Sequence, residues 1–140
     1  EFFTESYKDN LIHSEGNIET HPRWSIISGY YAMHDISKLL IANIYRLKID
    51  REVHATTIKV LRELLKDEET LRLIEEGYEE FQNLANELSD AKKERVKVQY
   101  YTGTEFMKEK YKNRALNFSK DVVKPYIEKI KKLLDKKNDN

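Results

Sequence analysis

The chain has 140 residues, with 25 Lys and Arg balanced by 25 Asp and Glu, and no cysteine. That length suits a single domain with a core of its own. The missing cysteines exclude a disulfide framework and a thiolate metal site.

Charged residues make up 36% of the chain, and there are only four glycines and two prolines. Few breakers among many Lys, Glu, Leu and Ile favour a helical protein. The same Lys/Glu richness without cysteine fits a thermophile-like composition and a reducing, cytoplasmic setting. No apolar run approaches the ~20 residues of a membrane span, and no signal peptide is visible. The first residue is Glu1, as expected of a trimmed chain. Charge is unevenly spread: residues 63–80 hold eight acids beside Lys66 and Arg72, whereas residues 92–137 hold fifteen Lys or Arg and six acids. A neutral chain with a basic half can still hold a polyanion locally, although a solvated set of helix faces is the plainer account.

Taken in order, Phe2, Phe3, Tyr7, Leu11 and Ile12 predict a short amphipathic helix over 2–14. "SEGNIETHP" reads as a loop, with Pro22 placed to open the next helix. Residues 22–47 give the clearest helical pattern. Ile26, Tyr30, Met33, Leu40, Ile44 and Leu47 form one stripe, and Ile27, Tyr31, Ile41 and Tyr45 a neighbouring one. Two adjacent stripes predict a helix buried over much of its circumference, hence the central helix. "KIDRE" ends it, with Asp50 a cap for the next helix over 51–66.

Asp67 or Thr70 marks the following boundary. Leu71, Ile74, Tyr78, Phe81, Leu84, Ala85 and Leu88 then set a helix over 68–101. Gly77 is a candidate interruption of that helix, and Gly103 its end. A last helix covers 104–135, and Pro125 is expected to kink it by removing a hydrogen bond and clashing one turn back. "KKNDN" is a tail. The expected fold is all-α: a single domain over 1–140 forming an antiparallel up-and-down bundle of four to five helices.

None of the four histidines, His13, His21, His34 and His54, stands in H-E-x-x-H or Glu-x-x-His spacing, so no metal site is expected. Phosphate-cradling glycine loops and G-x-S-x-G are absent as well. No organic cofactor is expected. Within "SGYYAMHDISKLLI", residues 28–41, Tyr31, His34, Asp35 and Lys38 fall at offsets of three and four and share a face. Two readings stand. Either the tyrosines are core and His-Asp-Lys an exposed strip, or the strip lines a groove at a dimer interface.

"SGYYAMHDISKLLI" resembles the central-helix signature of the prokaryotic HEPN domain, through Tyr30, Tyr31, Ala32, Met33, Lys38 and Leu40. His54 stands where that group often has a histidine. Arg95 followed by Tyr100 and Tyr101 is similar to its arginine-led motif, and the closing helix "ALNFSKDVVKPYIEKIKKLL" is similar too. The resemblance spans about residues 20–135. It implies a four- or five-helix bundle, a homodimer and frequent pairing with a small nucleotidyltransferase in toxin–antitoxin modules. It also implies, in many members, metal-independent RNA cleavage through Arg-x(4–6)-His.

Here no arginine has a histidine five to seven positions later, and tyrosines occupy the histidine's place after Arg95. A tyrosine of pKa ~10 is a poor general base at neutral pH. On a regular helix residues five apart point ~140° apart, so Arg95 and Tyr100 do not share a face within one chain. Arg95 is then either a helix-surface charge or a groove arginine that grips phosphate bidentately.

The leading expectation is a regulatory module binding RNA or a nucleotide, with Tyr31, His34, Lys38 and Tyr101 touching ligand. Its groove would be lined by Tyr31, His34, His54, Arg95 and Tyr100. The alternatives are an endoribonuclease using Arg95, Tyr100 and His54, and a purely structural dimerisation bundle.

Overall fold

A computed structural model describes residues 2–44, 54–93 and 105–138. Every regular element among them is helical. In chain order they are α1 (Phe2–Gly16), α2 (Pro22–Ile44), α3 (His54–Leu64), α4 (Glu68–Lys93), α5 (Glu105–Phe118) and α6 (Lys124–Asn138). A π-helical turn, Ser119–Val123, joins α5 to α6 without a break. The result is an all-α bundle, as composition and periodicity predict.

Named contacts give the directions. On α1, Ser6 and Asn10 reach Asp35 while Ser14 reaches Ser25, so α1 and α2 run antiparallel. Tyr30 meets Phe81 and Met33 lies beside Gly77, so α4 is antiparallel to α2 as well. Glu69 pairs with Lys129 and Glu87 with Arg114, which sets α5 and α6 antiparallel to α4. The α5–α6 rod therefore runs parallel to α2, with Arg23 beside Tyr111 and Ser37 beside Tyr126.

The double stripe of α2 does what its pattern implies. From Ser25 to Ile41 every residue is buried except Ile27 and Tyr31, which keep partial exposure. α1 covers one flank, the α5–α6 rod a second and α4 a third; α3 lies against α2 through Thr57 and His34. Pro22 opens α2, where its missing N–H costs nothing. Ile26, Met33, Ile36 and Leu40 form the middle of the core with Leu61, Ile74, Leu84, Ile127 and Ile130.

Asp67 caps α4. Its carboxylate accepts hydrogen bonds from the Glu69 backbone N–H at 3.1 Å and the Thr70 hydroxyl at 2.7 Å. The Thr70 hydroxyl above all, with the Glu69 N–H and the Lys129 charge, holds this carboxyl below its ordinary range against the opposing effect of burial.

Two expectations change. α4 runs unbroken through Gly77. A Cβ there would stand 2.9 Å from both Cε and Sδ of Met33, so the glycine serves close helix approach and interrupts nothing. Ahead of Pro125 the helix widens into the π turn, where the Lys124 N–H reaches back five residues to the Ser119 carbonyl. That widening accommodates a proline ring that would press on the carbonyl one turn back. Asp50, Gly103 and the ends drawn at 47 and 101 lie outside the described residues.

Candidate functional site

α2 positions the Tyr31, His34, Asp35 and Lys38 side chains in one strip, as the three- and four-residue offsets require. The strip is not an exposed one. His34 is 1% exposed, Asp35 7% and Lys38 5%. Their cover comes from α1 and α3, the elements before and after α2, through residues 23 to 35 positions away.

Asp35 Oδ2 accepts a hydrogen bond from the Ser6 hydroxyl at 2.5 Å and another from the Asn10 amide at 3.0 Å. A buried carboxylate needs such donors, because without them it would neutralise or move to water. Lys38 Nζ lies 5.6 Å from the centroid of the Phe3 ring, a cation–π contact that partly replaces lost hydration. His34 Nε2 stands 3.2 Å from the Thr57 hydroxyl on α3, and its ring stacks on Tyr30 with centroids 6.1 Å apart.

His54 is the first residue of α3, one turn before Thr57. The His34–Thr57 contact therefore brings the start of α3 to the same side of α2. Arg95, Tyr100 and Tyr101 lie outside the described residues.

Tyr31 is the member of the strip that keeps partial exposure. Its ring meets Phe81 edge-on, with centroids 5.8 Å apart, and Tyr30 at 6.0 Å. Tyr30 itself is fully buried and stacks on Phe81 at 4.8 Å. Burial, reinforced by the neighbouring Tyr78, Tyr31 and Tyr126, pushes the Tyr30 phenol well above its ordinary pKa. Tyr126 is raised too, by burial, although its hydrogen bond to Ser37 opposes the shift. Both are neutral at any physiological pH and act as packing groups with a polar handle, not as acids or bases.

At the opening of α2, a second cluster gathers Arg23, Tyr111, Arg114, Glu80 and Glu87. Two guanidiniums flank the Tyr111 ring, Arg23 at 5.4 Å and Arg114 at 5.9 Å from its centroid. Arg114 pairs with Glu80 and, at 2.7 Å, with Glu87. Burial alone would lower the Arg114 pKa, but the hydrogen bonds to Glu87 and Glu80 outweigh it and raise the group. The Tyr111 phenol is raised by burial and by Glu87, against the pull of Arg23 and Arg114. Trp24, next to Arg23, is 59% exposed.

Sequence periodicity groups the α2 strip but misses Ser6, Asn10 and Thr57, which cover it. The Ser6–Asn10 spacing of four residues on α1 was the available signal. Nothing local marks Thr57 as the partner of His34. Arg23 and Trp24 also escape a search for catalytic spacing, because neither belongs to a motif.

Between α4 and the π turn, Glu76, Glu79, Glu80, Asn83, Phe118 and Val122 line a shallow depression of about 220 Å³. Among the described residues no three His, Asp or Glu side chains are grouped to hold a metal ion. No helix among them is long and apolar enough to cross a membrane. No protein-family model, curated protein or solved structure matches the chain.

Proposed function

We propose that this bundle is a HEPN-like binding and regulatory module that acts on RNA or a nucleotide as a homodimer, in partnership with a small nucleotidyltransferase. The observation that supports this reading most is the accessibility of α2. The helix bearing the Tyr-Tyr-Ala-Met signature is covered nearly all round, yet Tyr31 and Ile27 keep partial exposure. To this helix α3 is fastened by the His34–Thr57 contact. A ligand groove centred on Tyr31 would have a rigid floor. The buried His34 and Lys38 would act there by holding the strip in place and by setting its charge, and Arg95 would supply the phosphate contact.

The test is a titration of labelled RNA at low salt with purified protein. Binding should weaken steeply as salt rises, because phosphate contacts release counterions. Tyr31→Ala and Arg95→Ala should each weaken it. Equal binding by wild type and both variants removes the groove. Incubating the same RNA with protein in EDTA separates binding from metal-independent cleavage: cleavage that Arg95→Ala abolishes would make the protein a nuclease. Light scattering that gives a monomer at all concentrations removes the dimer.

A further inference from the structure

We propose that Trp24 and Arg23, at the opening of α2, form a subsite for single-stranded nucleic acid, in which the indole stacks on a base and the guanidinium holds a phosphate. The proposal rests on the RNA-binding reading above and names the form of RNA and two residues that reading leaves out.

Trp24 is the one tryptophan of the chain. An indole is among the largest apolar groups a protein can bury, yet this one is 59% exposed at the edge of the most buried helix among the described residues. Trp24, Ile27 and Tyr31 follow one another at offsets of three and four, so they form a single strip along α2. Cover along that strip is incomplete, since Ile27 and Tyr31 are also the two residues between Ser25 and Ile41 that keep partial exposure. Trp24 and Tyr31 are about 10 Å apart along the axis, at 1.5 Å per residue. Two aromatic groups so placed can take two bases of one extended strand.

Arg23 supplies the charge. It is half-buried, with its guanidinium held against the Tyr111 ring. The nearby carboxylates of Glu80 and Glu87 are both engaged by Arg114. Among the described residues Arg23 makes no ion pair. A planar guanidinium stacked on a ring keeps its N–H donors at the edge, where they fit a phosphate bidentately. An exposed aromatic strip alone would suit any apolar partner. An arginine next to it that makes no ion pair among the described residues favours a ligand that offers a flat π face and an anion within one unit, which a nucleotide in a single strand does. A duplex hides its base faces in the stack and fits poorly.

Because Trp24 is the sole tryptophan, its fluorescence reports this subsite without a label. The 140-residue chain is titrated at low salt with a single-stranded RNA of about ten nucleotides, and with the same sequence as a duplex. The single strand should quench Trp24 emission, and the duplex should not. Trp24→Ala should weaken single-strand binding, followed by anisotropy of labelled RNA, by about tenfold or more. Trp24→Tyr, which keeps a stacking face, should retain most of the affinity, and Arg23→Gln should reduce the salt dependence by about one phosphate. Unchanged far-ultraviolet circular dichroism and melting temperature of each variant tie the loss to the subsite. If labelled RNA binds while Trp24 emission stays constant and Trp24→Ala binds like wild type, the subsite is overturned and the binding module stands. If RNA does not bind at all, both fall together. A blue shift of Trp24 emission on raising protein concentration without RNA would show a second copy covering the strip, and would overturn the subsite as well.

Discussion

The two flanks of α2 are built on opposite plans. Toward α1 the contact is a seam of small polar groups. Ser14 and Ser25 each donate a hydroxyl hydrogen bond to the other's carbonyl, at 2.7 and 2.6 Å, His13 Nδ1 lies 2.7 Å from the Ser28 hydroxyl, and Asp35 gathers Ser6 and Asn10. Toward α4 it is aromatic and thioether: Tyr30 stacks on Phe81, Tyr78 approaches Tyr30 at 6.1 Å, and Met33 fits against Gly77. Apolar burial is non-directional and supplies most of the free energy. Buried hydrogen bonds add little net energy when made but cost much when broken, so they select one register. The α4 flank should therefore govern how stable the bundle is, and the α1 flank how α1 is seated on it.

The largest effect expected from breaking the aromatic flank comes from Tyr30→Ala. Tyr30 is fully buried, and truncating a core aromatic costs about 3–5 kcal/mol. That is a large share of the ~5–15 kcal/mol a domain commands. Urea denaturation should show the midpoint falling by that equivalent with the slope unchanged. On the polar flank, Asp35→Ala should cost about 1–3 kcal/mol, because Ser6 and Asn10 lose their acceptor in a nearly dry site. Hydrogen exchange offers a sharper discrimination. Asp35→Ala should speed exchange in α1 more than in α4, whereas Tyr30→Ala should speed it throughout. Equal acceleration of α1 and α4 by Asp35→Ala would erase the distinction between the flanks.

The same one-carbon change at two glycines probes the comparison directly. At Gly29 a Cβ would stand 3.0 Å from the Ser14 hydroxyl oxygen and 3.0 Å from a Val123 methyl, with Phe118 at 3.5 Å. The hydroxyl is tied to the Ser25 carbonyl, and a valine has little χ1 freedom to yield. Gly29→Ala should cost about 1–3 kcal/mol by overpacking. At Gly77 the obstacle is the far end of Met33, which has three rotatable bonds to move. There the helix gain of alanine over glycine, about 0.8–1 kcal/mol, offsets the displacement, and Gly77→Ala should lie within about 1 kcal/mol of wild type. Thermal melts of both variants check the ordering; Gly77→Ala the more damaging of the two would reverse it.

These particular residues also mark what the sequence could carry. α2 was legible because a helix packed on several sides writes two apolar stripes into its own residues. The opening of α2 at Pro22 and the boundary at Asp67 were legible because turn and cap chemistry is local. The burial of His34, Asp35 and Lys38 was not. Periodicity tells which residues share a face, but their cover comes from Phe3, Ser6, Asn10 and Thr57, up to 35 positions away. Gly77 was illegible for the same reason: its meaning lies in Met33, 44 residues earlier. In isolation a glycine in a helix shows only its low propensity. Of the candidate site, Tyr31, His34 and Lys38 lie in the one strip that periodicity implied and His54 opens α3. The segment from Arg95 to Tyr101 lies outside the described residues.

A small effect also belongs to the cap, where local chemistry alone should suffice. Asp67→Ala removes the acceptor for the Glu69 N–H and the Thr70 hydroxyl, and should cost about 1 kcal/mol. Asp67→Asn keeps an acceptor but not the charge, so its cost at neutral pH should be a fraction of that, since asparagine caps about as well. The pH dependence isolates the charge. The Asp67 carboxyl is depressed in the folded chain below the ~3.9 of an unfolded aspartate. Its charge-dependent stabilisation is thus fully present above that unfolded value and is lost as pH falls through the folded one. The gap in stability between wild type and Asp67→Asn should be constant from about pH 5 upward and close as the carboxyl protonates. Raised salt at pH 7 should narrow it too, because the group is exposed and part of the depression comes from Lys129. A gap that persists undiminished at low pH would assign the cap to hydrogen-bond geometry alone, and would place the charge of Asp67 outside the stability of α4.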